Sequence, residues 1–269
     1  MDSLPQELID KIIDNLPHSS LPSFSLVARR WQRRSQRRIF TFVPFSSERD
    51  LALWSTRIPQ DPGGIPSYVC STEFMRIHSW REPALFGRVL KNLTSLTVLW
   101  ISDTMIPQPD QLPSSVTFGE FGEAVKCLTL FSPRCTVETI TSLVLSFPNL
   151  EEFFLIGSVS KRPVTTLTRA PQRRPLVALE LYGVENGVGA ALAQCGLTSR
   201  KLSLTVHDAG LEQLLTLSSE VIVELELSGA WSSETPRQKW YLSVSQINIL
   251  PQTNHLLPSL YHLSLPLPL

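Results

Sequence analysis

The side chains in this sequence best able to do chemistry are five histidines and four cysteines, and their spacing argues against it. His18, His78, His207, His255 and His262 are scattered. No HExxH pair offers two imidazoles one helical turn apart, no GxSxG turn presents a serine, and no P-loop cradles phosphates. Cys70, Cys127, Cys135 and Cys195 form no CxxC pair and stand mostly among apolar neighbours, the setting of buried, reduced thiols. In GVENGVGAAL, Gly183, Gly187 and Gly189 fall between a strand and a helix, where a helix N-terminus can hold phosphate. Their spacing does not match the dinucleotide fingerprint, so an ordinary connection is expected. The adjacent Glu151 and Glu152 would point to opposite faces of a strand and cannot act as a carboxylate pair. No catalytic residue, metal ligand or cofactor is therefore expected.

The sharpest charge feature is a run of arginines: Arg29, Arg30, Arg33, Arg34, Arg37 and Arg38. Spacings of one and four make two adjoining basic rows on a helix. A solvated face, docking to an acidic partner, and a nuclear-targeting or RNA-binding patch all fit this pattern. Without interleaved aromatics, stacking on single-stranded nucleic acid is disfavoured.

The elements that carry these residues must fit a chain of 269 residues with 24 Lys+Arg against 24 Asp+Glu. A zero net charge supplies no global field toward nucleic acid or membrane. Hydrophobic residues at 42 % suffice for a core, and 21 prolines predict short, punctuated elements. MDSLPQELIDKII has acidic residues where a secretory signal needs a basic flank, and no run reaches ~18 apolar residues. A soluble intracellular protein, cytoplasmic and/or nuclear, is expected.

Residues 3–42 stand apart. Ser3 would cap a helix beginning at Pro5, with Leu8, Ile9, Ile12, Ile13 and Leu16 at helical spacing until Pro17. Leu21, Phe24, Leu26 and Val27 form a second apolar segment, and a third runs from Trp31 to Phe40. Leu4, Pro5, Leu8, Ile12, Leu16, Leu21, Val27, Trp31 and Phe40 together resemble an F-box, although Pro22 replaces the family's commoner second leucine.

Beyond residue 65 the template Leu-x-x-Leu-x-Leu, with other apolar residues allowed, recurs. It reads Leu96, Leu99, Ile101; Val125, Leu128, Leu130; Leu150, Phe153, Leu155; Leu176, Leu179, Leu181; Ile222, Leu225, Leu227; and Leu260, Leu263, Leu265. Ser199, Leu202, Leu204 and Val69, Thr72, Phe74 are degenerate copies. Their central positions fall 23 to 29 residues apart, with one step of 38 that holds the polar segment AWSSETPRQKWY. Between copies, Val137, Ile140, Leu143, Val144 and Phe147 form one helical stripe; Leu211, Leu214 and Leu215 form another behind Asp208. Strand then helix, repeated, predicts a parallel sheet. The alternative is a Leu-rich α/β domain without repeat symmetry.

Residues 66–269 thus resemble the leucine-rich repeat family, in an irregular form. Where that family has its usual Asn, this chain has Thr104, Pro133, Ser158, Val184, His207, Ala230 and Pro268, so a buried hydrogen-bond ladder is not expected. Gly157, Gly183 and Gly229 recur one position earlier and would turn the chain out of the strand. The expected fold is α/β: a short N-terminal three-helix F-box (1–45), a linker (46–65), and an irregular leucine-rich-repeat arc (66–269) with its parallel sheet on the concave side. The ending LPSLYHLSLPLPL lacks a polar cap, which fits either a truncated chain or a paired end.

The two resemblances imply a non-catalytic substrate receptor of an SCF-type cullin ubiquitin ligase, of a plan common in fungi. Leu4, Pro5, Leu8, Ile12, Leu16, Leu21, Val27 and Trp31 would bind the adaptor and, through it, the cullin. The repeats would bind a target protein; no membrane or nucleic-acid partner is expected. The competing reading is a scaffold that uses the same parts without delivering targets for ubiquitination. Strand alternation places Trp100, Phe131, Phe154, Ile156 and Tyr182 on one face as the target site, flanked by Glu73, Lys201, Ser203, Glu224 and Glu226. A terminal segment, or the loop holding Trp231 and Trp240, could instead cover this patch as core.

Overall fold

The computed structural model describes residues 4–57, 64–107, 123–159, 175–184, 187–205, 211–228 and 239–242. Helix α1 (Gln6–Asn15) follows Pro5 at its N-cap and ends at Leu16, before Pro17. Ser3, the expected cap, lies outside the described residues. A single 3-10 turn (His18–Ser20) leads into α2 (Leu21–Ser25), where Pro22 occupies the first turn and its missing N–H costs nothing. Helix α3 (Arg29–Ile39) closes the unit. Ile9, Ile13, Leu21 and Trp31 are its buried core, with Leu16, Phe24, Ala28 and Ile39 packed around them. Phe24 stacks on Trp31 at 5.5 Å between ring centres.

Strand β1 (Phe42–Phe45) comes only two residues after α3, and α4 (Glu48–Arg57) follows it. Residues 46–65, expected as a linker, therefore carry a packed helix, and the sheet begins inside the stretch assigned to the helical unit. The sign was present in the sequence: Phe40, Val43 and Phe45 satisfy the repeat template. Phe45 and Leu51 are buried in the main core, and Trp54 packs against it. The α4 residue Glu48 accepts backbone hydrogen bonds from Arg81 (3.1 Å) and Glu82 (2.6 Å), tying α4 to the next helix.

After a 3-10 turn (Ile65–Tyr68) come β2 (Ser71–Met75), α5 (Ala84–Asn92), β3 (Val98–Ser102), β4 (Cys127–Phe131), α6 (Val137–Leu145) and β5 (Glu152–Ile156). Next are β6 (Leu176–Tyr182), α7 (Val188–Gln194), β7 (Ser199–Thr205), α8 (Leu211–Ser218), β8 (Glu224–Ser228) and β9 (Lys239–Leu242). They build a mixed α/β fold around one sheet in strict chain order, parallel from β1 to β8. Strand β9 pairs antiparallel with β8, so Lys239, Trp240 and Tyr241, expected in a loop, form an edge strand. Residues 229–238 and the last template copy, Leu260, Leu263 and Leu265, lie outside the described residues.

Register accounts for the sequence pattern. Thr72, Leu99, Leu128, Phe153, Leu179, Leu202 and Leu225 pair in turn across seven strands, and each is fully buried. A one-residue slip in any strand would turn this row outward and the polar row inward. Helices α5, α6 and α7 cover the buried face, with Val89, Ile140 and Leu192 fully enclosed. Thr136 caps α6 by accepting from the Thr139 N–H at 3.3 Å. At the degenerate copy, the Thr72 hydroxyl donates to the Val43 carbonyl at 2.6 Å, so its polar atom is satisfied inside the core.

Two residues past the last core position of β2 to β6 the backbone turns left-handed: Arg76, Asp103, Ser132, Gly157 and Gly183 all have positive φ. The N–H groups of the first four donate to the Ser102, Phe131, Ile156 and Tyr182 carbonyls of the next strand. Gly157 and Gly183 turn the chain as expected; Gly229 is not described. At Gly157, φ is +103° and an added Cβ would lie 3.2 Å from Ser132 Cα. Gly157→Ala is expected to cost about 1–3 kcal/mol in denaturant unfolding, and Gly183→Ala, which meets open space, less. A buried hydrogen-bond site was not expected at Thr104, yet its Oγ1 accepts from Ile77 N–H (3.3 Å) and lies 3.1 Å from the Phe74 carbonyl. A hydroxyl there does part of what an amide would do.

Candidate functional site

Two surfaces collect apolar side chains that the protein does not bury. The first is on α1. Sequence periodicity merges Leu8, Ile9, Ile12, Ile13 and Leu16 into one broad stripe, but the structure divides it. Ile9 and Ile13 are fully buried against α2 and α3, whereas Leu4, Leu8 and Ile12 are 38 %, 45 % and 41 % exposed. With Lys11, Asn15 and the half-buried Leu16 they line a shallow groove. Lys11 and Asn15 escaped the sequence reading because they are polar; their one-turn offset from Leu8 and Ile12 was the available signal. Leaving the remaining area of such side chains in water forgoes about 1 kcal/mol each, a cost that a partner can recover.

Of the other residues expected there, Pro5 is exposed and Val27 is 58 % exposed beside Leu26, which is 85 % exposed. Leu21 and Trp31 are different. They are the core that α1, α2 and α3 share, so they serve folding and offer no contact surface.

The arginine rows also separate. Arg34 forks onto Asp14, with Nε donating to Oδ1 at 2.8 Å, and holds that carboxyl below its usual range. Arg38 donates to the carbonyls of Ile13 and Leu16, satisfying the C-terminal end of α1. The other row, Arg29, Arg33 and Arg37, is exposed. Replacing Arg33 and Arg37 with Glu is expected to leave the melting temperature nearly unchanged while slowing association with an acidic partner and flattening its salt dependence. Stopped-flow association against thermal unfolding checks both halves.

Residues 1–46 match the F-box domain. No curated protein matches the chain. F-box domains bind the adaptor of cullin-based SCF complexes, and the exposed half of α1 is an apolar surface of this segment that its own core leaves open.

The second surface is the sheet face away from α5, α6 and α7. Trp100, Phe131, Phe154, Ile156 and Tyr182 stand there on four successive strands, none of them buried; Trp100 is 44 % and Phe131 50 % exposed. One row pairs Glu73, Trp100, Thr129, Phe154 and Glu180 from strand to strand, and a second pairs Phe131, Ile156 and Tyr182. The flanking residues are less uniform than expected. Lys201 pairs with Glu224 at 3.3 Å, but Ser203 and Glu226 are buried, their side chains 3.5 Å apart.

The remaining candidates for chemistry stay apart. Cys135 and Cys195 are buried and Cys70 and Cys127 half-buried, all unpaired. Burial pushes the Cys127 thiol up to about 11 and Cys135 to about 12, so neither is a thiolate at neutral pH. Gly187 is the left-handed N-cap of α7, an ordinary chain connection. Glu151 pairs with Lys126 at 2.7 Å, while Glu152 opens β5. His18 and His78 are exposed; His207, His255 and His262 are outside the described residues. Among the described residues no three metal-ligating side chains cluster, and no helix is long and apolar enough to cross a membrane.

Proposed function

We propose that this chain is a substrate-recognition subunit of an SCF-type cullin E3 ubiquitin ligase. The observation that carries the reading is the surplus apolar stripe of α1, unused by the core, inside the segment that matches the F-box. Leu4, Pro5, Leu8, Ile12, Leu16 and Val27 dock the adaptor and through it the cullin. The sheet domain is an irregular leucine-rich-repeat arc. Core positions recurring 23 to 29 residues apart and pairing in register support that assignment. Its open face, with Trp100, Phe131, Phe154, Ile156 and Tyr182, holds a target protein.

In this reading the chain performs no bond-making step. It raises the target's effective concentration near a charged ubiquitin carrier, and a separate conjugating enzyme does the chemistry. The cytoplasm and nucleus, where such complexes work, are its proposed locations. Co-purification of the tagged full chain tests the proposal. Adaptor together with cullin is the expected result; adaptor alone would make the chain a non-catalytic scaffold, and neither would overturn the reading.

A further inference from the structure

The open face of the sheet holds charged residues as well as rings, and those charges are already matched within the protein. Glu73 accepts from the Ser102 hydroxyl at 2.8 Å, and the Cys127 side chain hydrogen-bonds to both the Glu152 carboxylate and the Thr129 hydroxyl. Glu180 is engaged too, and Glu224 pairs with Lys201 at 3.3 Å. Strand register brings a second cation, Lys239, to this face opposite Ser228. The face also has an end. Ser203 on β7 and Glu226 on β8 are buried, whereas Trp100 and Phe131 are 44 % and 50 % exposed. The open part therefore runs from β3 to β6, about 14 Å across at about 4.8 Å per strand, and carries Trp100, Phe131, Phe154, Ile156 and Tyr182.

Register gives this stretch a notch. Trp100 and Phe154 flank Thr129, one strand to each side, so two rings about 9.6 Å apart at their Cα atoms stand beside a small side chain whose hydroxyl is already used. Two residues further along β4, Phe131 pairs with Ile156 and extends the apolar surface.

Resting on the proposed role of this face in holding a target, we infer that the target presents an uncharged segment with one bulky apolar side chain, which lodges between Trp100 and Phe154 above Thr129. A basic or acidic group placed there would lose its water and meet no open counter-charge, because the surrounding carboxylates and Lys201 already have partners. An apolar side chain needs none, and gains from buried area and ring contact alone. Contact rather than long-range steering then sets the affinity, and salt has little effect on it.

The test selects phage-displayed random heptapeptides on the immobilised full chain and keeps those that Trp100→Ala with Phe154→Ala no longer retains. The enriched peptides are expected to carry a central Leu, Met, Phe or Trp and to be depleted of Asp, Glu, Lys and Arg relative to the input library. In fluorescence anisotropy, the affinity of one such peptide should change less than about twofold between low and high salt. It should fall at least about tenfold when a residue beside the anchor becomes Lys or Glu. Thr129→Phe, which fills the notch and leaves both rings in place, should abolish binding while the melting temperature and adaptor co-purification hold. Enrichment of basic or acidic peptides, or equal affinity of the Lys and Glu forms, overturns the uncharged occupant. Retention of the same peptides by the double variant, or no enrichment at all, ends the inference. So does a dimer in sedimentation that the double variant dissolves, which would assign the face to a second copy. Co-purification of adaptor and cullin reads the ligase proposal separately, and its persistence in any of these cases shows that reading surviving without this one.

Discussion

Leu8→Ala combined with Ile12→Ala is expected to weaken adaptor binding by about 3–4 kcal/mol, a loss of roughly two to three orders of magnitude in affinity, while the melting temperature barely moves. The two side chains are 45 % and 41 % exposed, so truncating them removes little from the folded chain. They lie one turn apart on α1, at the centre of the groove lined by Leu4, Lys11, Asn15 and Leu16. A hot spot of two neighbouring aliphatic side chains loses its affinity through faster dissociation. The neighbouring pair Ile9 and Ile13 supplies the contrast. Both are fully buried, so Ile13→Ala should cost about 2–5 kcal/mol of stability and affect binding only through unfolding. Surface-sensor dissociation rates beside calorimetric melting separate the two faces of one helix.

The second large effect is at the junction between the helical unit and the sheet. Phe40, Trp54, Phe45, Phe74 and Phe86 touch in sequence, each ring contact at 4.9 to 6.3 Å between centres, and Trp80 adds a final edge contact to Phe86. The chain of rings runs from the end of the F-box helices through β1 and α4 into β2 and α5. Phe74 is fully buried and lies between Phe45 and Phe86. Phe74→Ala is expected to destabilise the protein by about 3–5 kcal/mol, because the removed ring leaves a cavity that two fixed aromatic neighbours cannot close. Denaturant unfolding measures it. Phe74→Leu, which refills much of the volume, should recover more than half of the loss.

These two sites show what the sequence could and could not reveal. Thr72, Leu99, Leu128, Phe153 and Leu179 were legible as core because burial on one face of a strand imposes strict alternation, and register leaves no freedom once that face is covered. Gly157 and Gly183 announced the turns after their strands, since glycine is the usual residue for a left-handed backbone. Arg76, Asp103 and Ser132 adopt the same turn with nothing in their identities to mark it. Strand β1 went unread because Phe40, Val43 and Phe45 stand just after an arginine helix and surround Pro44, a residue tolerated at a sheet edge. On α1 the pattern established that an apolar face exists, but periodicity cannot say which half a neighbouring helix covers. That assignment depends on where α2 and α3 pack, and it moved Leu21 and Trp31 from the surface to the core.

The most direct measurement of the central claim is the hydrogen-exchange footprint of the purified adaptor on the full chain. The account predicts slower exchange in residues 4–16 and around Leu26 and Val27, with the sheet strands carrying Trp100, Phe154 and Tyr182 unchanged. Protection confined to those strands, or no footprint at adaptor concentrations that saturate other F-box chains, would contradict it.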